Sequence, residues 1–539
     1  MKRRKTGGSA LDRGQTIAFR FNGQDLHGFE GDTLASALLA NGVRLMGRSF
    51  KYHRPRGVMT AGSEEPNALM EVLRDGVFHP NVRATLQELH PGLDARSQNC
   101  WPSVRYDVMA INDLLAPFLG AGFYYKTFMW PRAFWEGVYE PLIRRAAGLG
   151  RLPRSHHDGP DEKAFAFCDL LVIGSGPAGL TAALAAGRAG VDVILCEEDR
   201  QMGGRLLSDA GQIDGMSGAH WALGVLAELA DMPNVRLMPR TTVFGAYDGG
   251  VFGALERVSL HQAEPRGSSR ECFWRITAGR AILASGALER PVAHPDNDRP
   301  GVMLLSAVAS YWHRWAVDPG RVVVFGNNDH ALATACALAA DGMEIAAYID
   351  PREGLANKAP FTIHSGAVVT GTRGRHGLCE VTTRSQGREL RIAADTLALS
   401  GGWNPTLHLT SHMNGRPAWD AQIAAFVPKS AMVPGLEVVG AAAGQFSTHA
   451  ALQGGMEGAK RVLADLGVSV PDLVLPYAED LPFTIAPVWQ IAAKGRAWLD
   501  FANDVTTKDV TLAAREGFAS VEHMKRYTTQ GMAPDQGKS

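Results

Sequence analysis

Apolar and polar residues along the chain follow two rhythms that change at definite places. Thr16–Phe21 reads T-I-A-F-R-F, a period of two that predicts a strand with one buried face. Asn22-Gly23 then predicts a hairpin turn, and Gly31-Asp32-Thr33 opens a helix over Leu34–Asn41 that Gly42 ends. Asn99–Leu149 is rich in aromatics and proline and holds neither period for long, which predicts a connector draped over other domains. At Asp169 the pattern sharpens. Asp169–Ile173 is a strand, G-S-G-P-A-G a loop and Leu180–Arg188 a helix closed by Gly190, with Val191–Cys196 the next strand. A second strand–helix–strand unit runs through Arg321–Phe325, Ala331–Ala340 and Glu344–Ile349. Two such units predict two Rossmann-like dinucleotide-binding domains in an α/β chain, the second inserted in the first. The late strands Thr396–Leu399 and Leu436–Val439 are expected to return the chain to the first domain. The tail from Leu481 carries a helical pattern around Thr507–Tyr527.

Composition narrows the class. The 539 residues are enough for about three to four domains of ~150 residues. With 54 basic and 55 acidic residues the net charge is −1, which leaves no electrostatic footprint for nucleic acid. No apolar run reaches the ~18 residues of a membrane span. The start, MKRRKTGGSALDRG, has an Arg-Arg pair with no apolar stretch behind it, so no secretory or twin-arginine signal is read and a cytoplasmic protein is expected. The six cysteines, Cys100, Cys168, Cys196, Cys272, Cys336 and Cys379, form no C-x-x-C pair. They read as small core residues, and no metal site is expected.

The chemistry lies in the first loop. Gly174, Gly176 and Gly179 form G-x-G-x-x-G directly between strand and helix. Gly174 permits the tight turn, Gly176 lets the backbone approach a pyrophosphate, and Gly179 lets helix and strand pack closely. The phosphates then meet the free amides and positive dipole of the helix start. Glu197 and Glu198 close the second strand at about the ~20-residue spacing of a ribose-binding acid, which favours NAD or FAD over NADP. The pair Gly203-Gly204 follows, as is usual in flavin-type domains. The second loop, Gly326-Asn327-Asn328-Asp329-His330-Ala331, keeps only its first glycine, and Asn328 puts a side chain where backbone should touch phosphate. It reads as a packed domain without a dinucleotide. Asp329 and His330 are adjacent on a helix and do not face each other, so neither is assigned catalysis.

Several strings carry a resemblance. These are Ala284-Ser285-Gly286-Ala287-Leu288-Glu289-Arg290-Pro291, Asn297-Asp298-Arg299-Pro300-Gly301-Val302-Met303 and Ser400-Gly401-Gly402-Trp403-Asn404-Pro405, with Arg48–Gly57 and Tyr124–Phe128. In their order they resemble the alpha subunits of heterotetrameric sarcosine oxidases over nearly the whole chain. The resemblance implies a flavin-bearing beta subunit that oxidises the small-molecule amine at FAD, an FMN held by beta at the contact, and smaller gamma and delta subunits. Oxygen becomes hydrogen peroxide, and the one-carbon unit is captured as methylenetetrahydrofolate by a folate-binding domain near whose expected start this chain stops. The alpha subunit holds a noncovalent NAD. Carried over, that NAD site comprises Gly174, Gly176, Ala178, Gly179, Glu197, Glu198, Asp199, Arg205, Val243, Ala441, Phe446 and Thr448. Val243 and Phe446 read equally as core packing. Ala441 stands where FAD domains of this type have an acid, which favours NAD over FAD.

The first segment resembles a plant-type ferredoxin β-grasp whose cluster loop, Arg44–Gly57, has no cysteine. In the tail, Asp500–Thr506 and Gly531–Gly537 resemble the iron–sulfur module of related imino-acid dehydrogenases, with Asp500, Ala502 and Asp535 in cysteine places. No iron–sulfur cluster is therefore expected. The basic residues Arg44–Arg56 read either as facing a partner flavin or as a solvated loop. The expected domains are 1–95 (ferredoxin-like), 96–165 (connector), 166–290 with 396–480 (NAD-binding), 291–395 (degenerate nucleotide-binding) and 481–539 (small helical module). No residue is assigned catalysis. The alternatives are the alpha subunit of a related imino-acid or secondary-amine dehydrogenase, and a free-standing NAD(P)H-dependent flavoprotein reductase.

Overall fold

The computed structural model describes residues 1–146, 150, 161–263, 269–355, 359–469 and 474–537. The end of the expected connector, 147–149 and 151–160, lies outside the described residues. Strands β1 (Asp12–Phe21) and β2 (Gln24–Glu30) form the predicted hairpin. Asn22 (φ 50°) and Gly23 (φ 77°) supply the two positive φ angles that such a tight turn needs. Ile17, Phe19 and Phe21 point inward onto α1 (Leu34–Ala40), which starts at a Thr33/Ser36 capping box. With β3 (Leu69–Arg74), β4 (Val77–Arg83) and β5 (Asp94–Ser97) they make a mixed sheet of order β2-β1-β5-β3-β4.

The next sheet is built on β6 (Glu162–Ile173), α2 (Pro177–Arg188) and β7 (Val193–Cys196), the predicted unit with a longer first strand. Helix α3 (Gly218–Ala230) leads to β8 (Val235–Met238), then to β9 (Thr241–Tyr247), β10 (Val251–Arg257) and β11 (Glu271–Leu283). The order is β8-β7-β6-β11-β10-β9. The second sheet holds β12 (Val302–Leu304), β13 (Val322–Gly326), β14 (Ile345–Asp350), β15 (Thr362–Ser365) and β16 (Thr396–Ser400), all parallel. Helix α4 (Leu305–Trp315) follows β12, and α5 (Asp329–Ala340) follows β13.

One strand expectation is corrected here. Thr396–Leu399 does not return the chain to the first sheet. It lies in β16, paired with β12 on one side and β13 on the other. A strand buried on both faces fits any parallel sheet by its pattern alone. The return comes later, at β17 (Leu436–Val438), which pairs with the end of β11. Helix α6 (Thr448–Asp465) then packs on α2, and α7 (Thr507–Arg515) with α8 (Val521–Thr528) forms the tail.

The reading of Arg44–Arg56 as a face toward a partner flavin is also corrected. Arg54 and Arg56 both bind the buried carboxylate of Asp298, and Arg56 also binds Asp504 of the tail. The Asp504 carboxylate further accepts the amides of Lys51 (2.8 Å) and Tyr52 (3.0 Å). Arg44 pairs with Asp395, and Arg48 donates to the carbonyls of Val104 and His53. Arg54 and Arg56 are consumed inside the molecule, because a buried guanidinium must be paired. In the tail, Asp500 accepts the amides of Asn503 and Gly531, both at 2.7 Å, and burial pushes its carboxyl up to about 6.

The connector is tethered to the N-terminal segment. Asp107 binds His53, and the Leu119 carbonyl accepts from the Tyr52 hydroxyl. Its large apolar side chains nevertheless face outward: Leu114 is 80% and Trp130 83% exposed, and Trp101, Phe118 and Leu142 are exposed with them. Among the described residues no helix is long and apolar enough to cross a membrane.

Candidate functional site

Each glycine of the first loop does a separate job. Gly174 sits at φ 99°, a conformation glycine adopts without strain, with the Ala284 carbonyl against the side where a Cβ would be. A Cβ on Gly179 would run into the Gly174 carbonyl oxygen, so only glycine lets α2 approach β6 this closely. Around Gly176 nothing lies within 4 Å of a Cβ position, so its open side can receive a ligand. Gly176 is also the N-cap of α2 and provides no side-chain cap, which leaves the first amides of a twelve-residue helix free to bind an anion.

Ser175 ties this loop to its surroundings. Its hydroxyl donates to Glu197 Oε2 (2.6 Å) and accepts from the Gly203 amide (2.9 Å). Glu197, at the end of β7, also accepts the amides of Ser175 (2.9 Å) and Asp199 (3.0 Å). Burial raises its carboxyl above the ordinary value, and these three hydrogen-bond donors oppose that rise. The neighbouring Glu198 is exposed and accepts from Ser63 of the N-terminal domain (3.0 Å). Asp199 pairs with Arg314 at 2.7 Å. The Thr241 amide donates to the Glu197 carbonyl (2.7 Å), which brings Val243, half-buried on β9, to the same edge.

The other side of the loop is made by the late segment. Gly440 and Gly455 each abut Ala178 so closely that a Cβ on either would collide with it. This places Ala441 beside the helix start of α2, with Thr448 opening α6 about two turns before Gly455. Phe446 packs edge-on against Phe483, with ring centroids 5.0 Å apart. Gly204 lies against Gly176, its Cβ position 2.9 Å from the Gly176 Cα. Arg205 follows, paired with Asp209 (3.1 Å) and stacked over Trp403 (4.0 Å). The structure thus ties Ser175, Glu197, Gly204 and Gly440 directly to the Gly174–Gly179 loop, while Val243, Phe446 and Thr448 lie on flanking segments. Ser175, Ser63, Gly440, Gly455 and Trp403 were not singled out from sequence. Ser175 stood inside the glycine loop and Trp403 inside the string Ser400–Pro405, but Ser63, Gly440 and Gly455 come from distant segments without a local signal.

The second loop is closed by the chain itself. Asn328 is fully buried and caps α5, accepting the Ala331 amide at 3.0 Å. Segment 484–486 lies along the loop. The Ala486 amide donates to the Asn327 carbonyl (2.9 Å), the Asp329 amide donates to the Thr484 carbonyl (3.1 Å), and the Asp329 carboxylate accepts from the Thr484 hydroxyl (2.6 Å). Asp329 also pairs with Arg352, and it makes no pair with His330.

Comparison with known proteins adds three family matches. Residues 14–100 match the family described as a 2Fe-2S iron-sulfur cluster binding domain, 169–245 the FAD dependent oxidoreductase family, and 494–539 the sarcosine oxidase A3 domain. The first match overturns the expectation of no iron–sulfur cluster, because the N-terminal stretch belongs to a domain class that binds one. Within it the one thiol is Cys100, which burial pushes up to about 11. The chain is 50% identical to a sarcosine oxidase subunit alpha of Rhizobium meliloti (strain 1021) over 98% of its own length and 54% of that protein's. It is 36% identical to one from Corynebacterium sp. (strain P-1), over 98% of this chain and 52% of the relative. It spans about half the length of these curated relatives. The L-proline dehydrogenase from P. horikoshii shares the fold, with a TM-score of 0.69 at 20% identity over 99% of this chain and 92% of that one.

Proposed function

Since the chain belongs to the family of sarcosine oxidase alpha subunits, we propose that it is the dinucleotide-holding part of an oxidoreductase acting on the CH–NH bond of sarcosine, with NAD on the Gly174–Gly179 loop. In that reaction sarcosine loses two electrons and two protons. Water adds to the resulting imine and releases glycine and a one-carbon unit, carried as methylenetetrahydrofolate where folate is coupled. Dioxygen takes up the electrons and protons as hydrogen peroxide. The amine site and the flavins FAD and FMN belong to or border a beta subunit, with gamma and delta subunits completing a cytoplasmic heterotetramer.

This chain's own residues bind and orient. The free amides of α2 and the open side of Gly176 receive the pyrophosphate. A carboxylate has about four lone-pair positions. Glu197 uses both on Oε2 and one on Oε1, so one acceptor remains for a ribose hydroxyl.

The observation that carries NAD over FAD is Ala441. It lies beside the loop start without an acceptor for a ribityl hydroxyl. Leaving such a hydroxyl unpaired costs about 1–3 kcal/mol, roughly a ten- to hundredfold loss of flavin affinity. The FAD-dependent family match ends at residue 245 and covers the glycine loop and ribose acid that serve both dinucleotides. The test is to denature the purified chain, identify the released nucleotide by mass and record the visible absorbance beforehand. One NAD per colourless chain is the expected result. A yellow chain with one FAD would overturn it.

A further inference from the structure

The glycine loop accounts for the pyrophosphate and Glu197 for the adenosine ribose, but neither says where the far end of the dinucleotide goes. Gly204 touches Gly176, so Arg205 stands at the phosphate end of the loop. From Arg205 the path leads to Trp403 under its guanidinium, and then to His330, whose ring centroid is 5.8 Å from that of Trp403. Here a small cavity opens between the two nucleotide-type domains, lined by Arg205, Glu289, Ser306, His330, Ser400 and Trp403.

Two buried atoms of these lining residues, Nε1 of Trp403 and Nδ1 of His330, have no hydrogen-bond partner among the described residues, and Trp403 as a whole is 4% exposed. Buried donors without acceptors are rare in native proteins, and an absent ligand is one recognised explanation. Glu289 supplies the opposite chemistry. Burial raises its carboxyl, and the donors it accepts, the Ser306 amide (2.7 Å) and the Ser306 and Ser400 hydroxyls, oppose that rise, so one of its about four lone-pair positions is left open. Burial, with Arg205 close by, lowers the His330 imidazole to about 4, so it is neutral at physiological pH.

A primary carboxamide presents one carbonyl acceptor and two N–H donors, the complement of this arrangement. Resting on the NAD reading above, we propose that the cavity receives the carboxamide end of the nicotinamide. Trp403 Nε1 donates to the amide oxygen, Glu289 accepts an amide N–H, and the Arg205 guanidinium lies between this end and the phosphates. Trp403 and Glu289 are then specificity-determining residues contributed by the antiparallel strand pair Ala287–Glu289 and Trp403–Pro405 rather than by the nucleotide-binding motif.

The experiment compares NAD with ADP-ribose, which has the same adenosine and pyrophosphate but no nicotinamide, by calorimetric titration of the full chain freed of nucleotide. The wild type is expected to bind NAD about tenfold or more tighter than ADP-ribose. Trp403→Phe keeps an aromatic ring beneath Arg205 and removes the N–H together with the pyrrole half of the indole. It is expected to hold ADP-ribose as before and to lose most of the preference for NAD. An analogue with an acetyl group in place of the carboxamide tests the Glu289 contact on the unaltered chain, and should bind several-fold weaker than NAD. Equal wild-type affinity for NAD and ADP-ribose would mean that the cavity holds water only, and would overturn the proposal while leaving the glycine-loop reading intact. Equal weakening of both ligands by Trp403→Phe would also overturn it. If neither ligand binds the wild type, the dinucleotide reading falls and this inference falls with it.

Discussion

At Gly176 and Gly179, three residues apart, added side chains have opposite expected outcomes. Gly179→Ala drives a methyl into the Gly174 carbonyl, so α2 and β6 must separate. A loss of about 1–3 kcal/mol in urea unfolding is expected. Gly176→Val meets nothing within 4 Å, and its φ of −69° suits any residue, so stability should stay near wild type. Its side chain takes the place of the pyrophosphate, and the nucleotide released per chain should fall at least about tenfold. Full occupancy in Gly176→Val would remove the phosphate role from this loop. A second residue-scale prediction concerns Asp298. Burial alone would raise its carboxyl, but the charges of Arg54 and Arg56 hold it well below the usual carboxylate range. The stability it contributes is therefore complete above the unfolded value of about 3.9 and is lost as pH falls below that. Asp298→Asn should cost about 3–5 kcal/mol at pH 7. The difference from wild type should be flat down to about pH 5 and shrink below about pH 4 in a series of denaturation curves. The glycine roles were legible in sequence because they act on neighbours a few residues away. The roles of Arg54 and Arg56 were not. Asp298 lies 242 residues beyond Arg56 and Asp504 448 beyond it, so the stretch looked like a free basic loop.

The two strand–helix–strand units match their sequence pattern closely, yet they differ in what covers their loops. In the second, the backbones of Asn327 and Asp329 are hydrogen-bonded to segment 484–486. Titration with NADH or NADPH should accordingly give no more than one dinucleotide per chain. Asn328→Gly, which restores a missing glycine, should not create a second site, and a second saturable binding step in that variant would refute the closure. Asp329→Ala removes the acceptor for Thr484, and hydrogen exchange at 484–486 should speed up while that at α2 stays unchanged. The sequence showed that the second loop lacked its glycines, but nothing near residue 484 signalled what lies on it. The misplacement of Thr396–Leu399 has a similar origin. T-L-A-L is buried on both faces and carries no alternation, so only its register against Val322–Phe325 reveals its sheet.

Across the whole molecule the hydrophobic cores do not follow the order of the chain. One continuous core joins the N-terminal sheet, the second nucleotide-type domain and the tail residues Trp498 and Phe501, whereas the first domain keeps its own core on each face of its sheet. Arg56 sits where three segments of the joint core meet, between Asp298 and Asp504. Arg56→Ala should lower the unfolding temperature of that joint unit by leaving Asp298 and Asp504 poorly paired. Added NAD should slow hydrogen exchange in the first domain of this variant as much as in wild type. Loss of both protections together would show that the two units unfold as one. The exposed side chains of the connector have a colloidal consequence. Leu114, Phe118 and Trp130 meet water at a surface where the net charge of the molecule, −1, offers almost no long-range repulsion. Kept by itself, the chain should form clusters that grow with concentration in light scattering. Salt should change them little, a trace of mild detergent should disperse them, and Trp130→Ser with Leu114→Ser should suppress them.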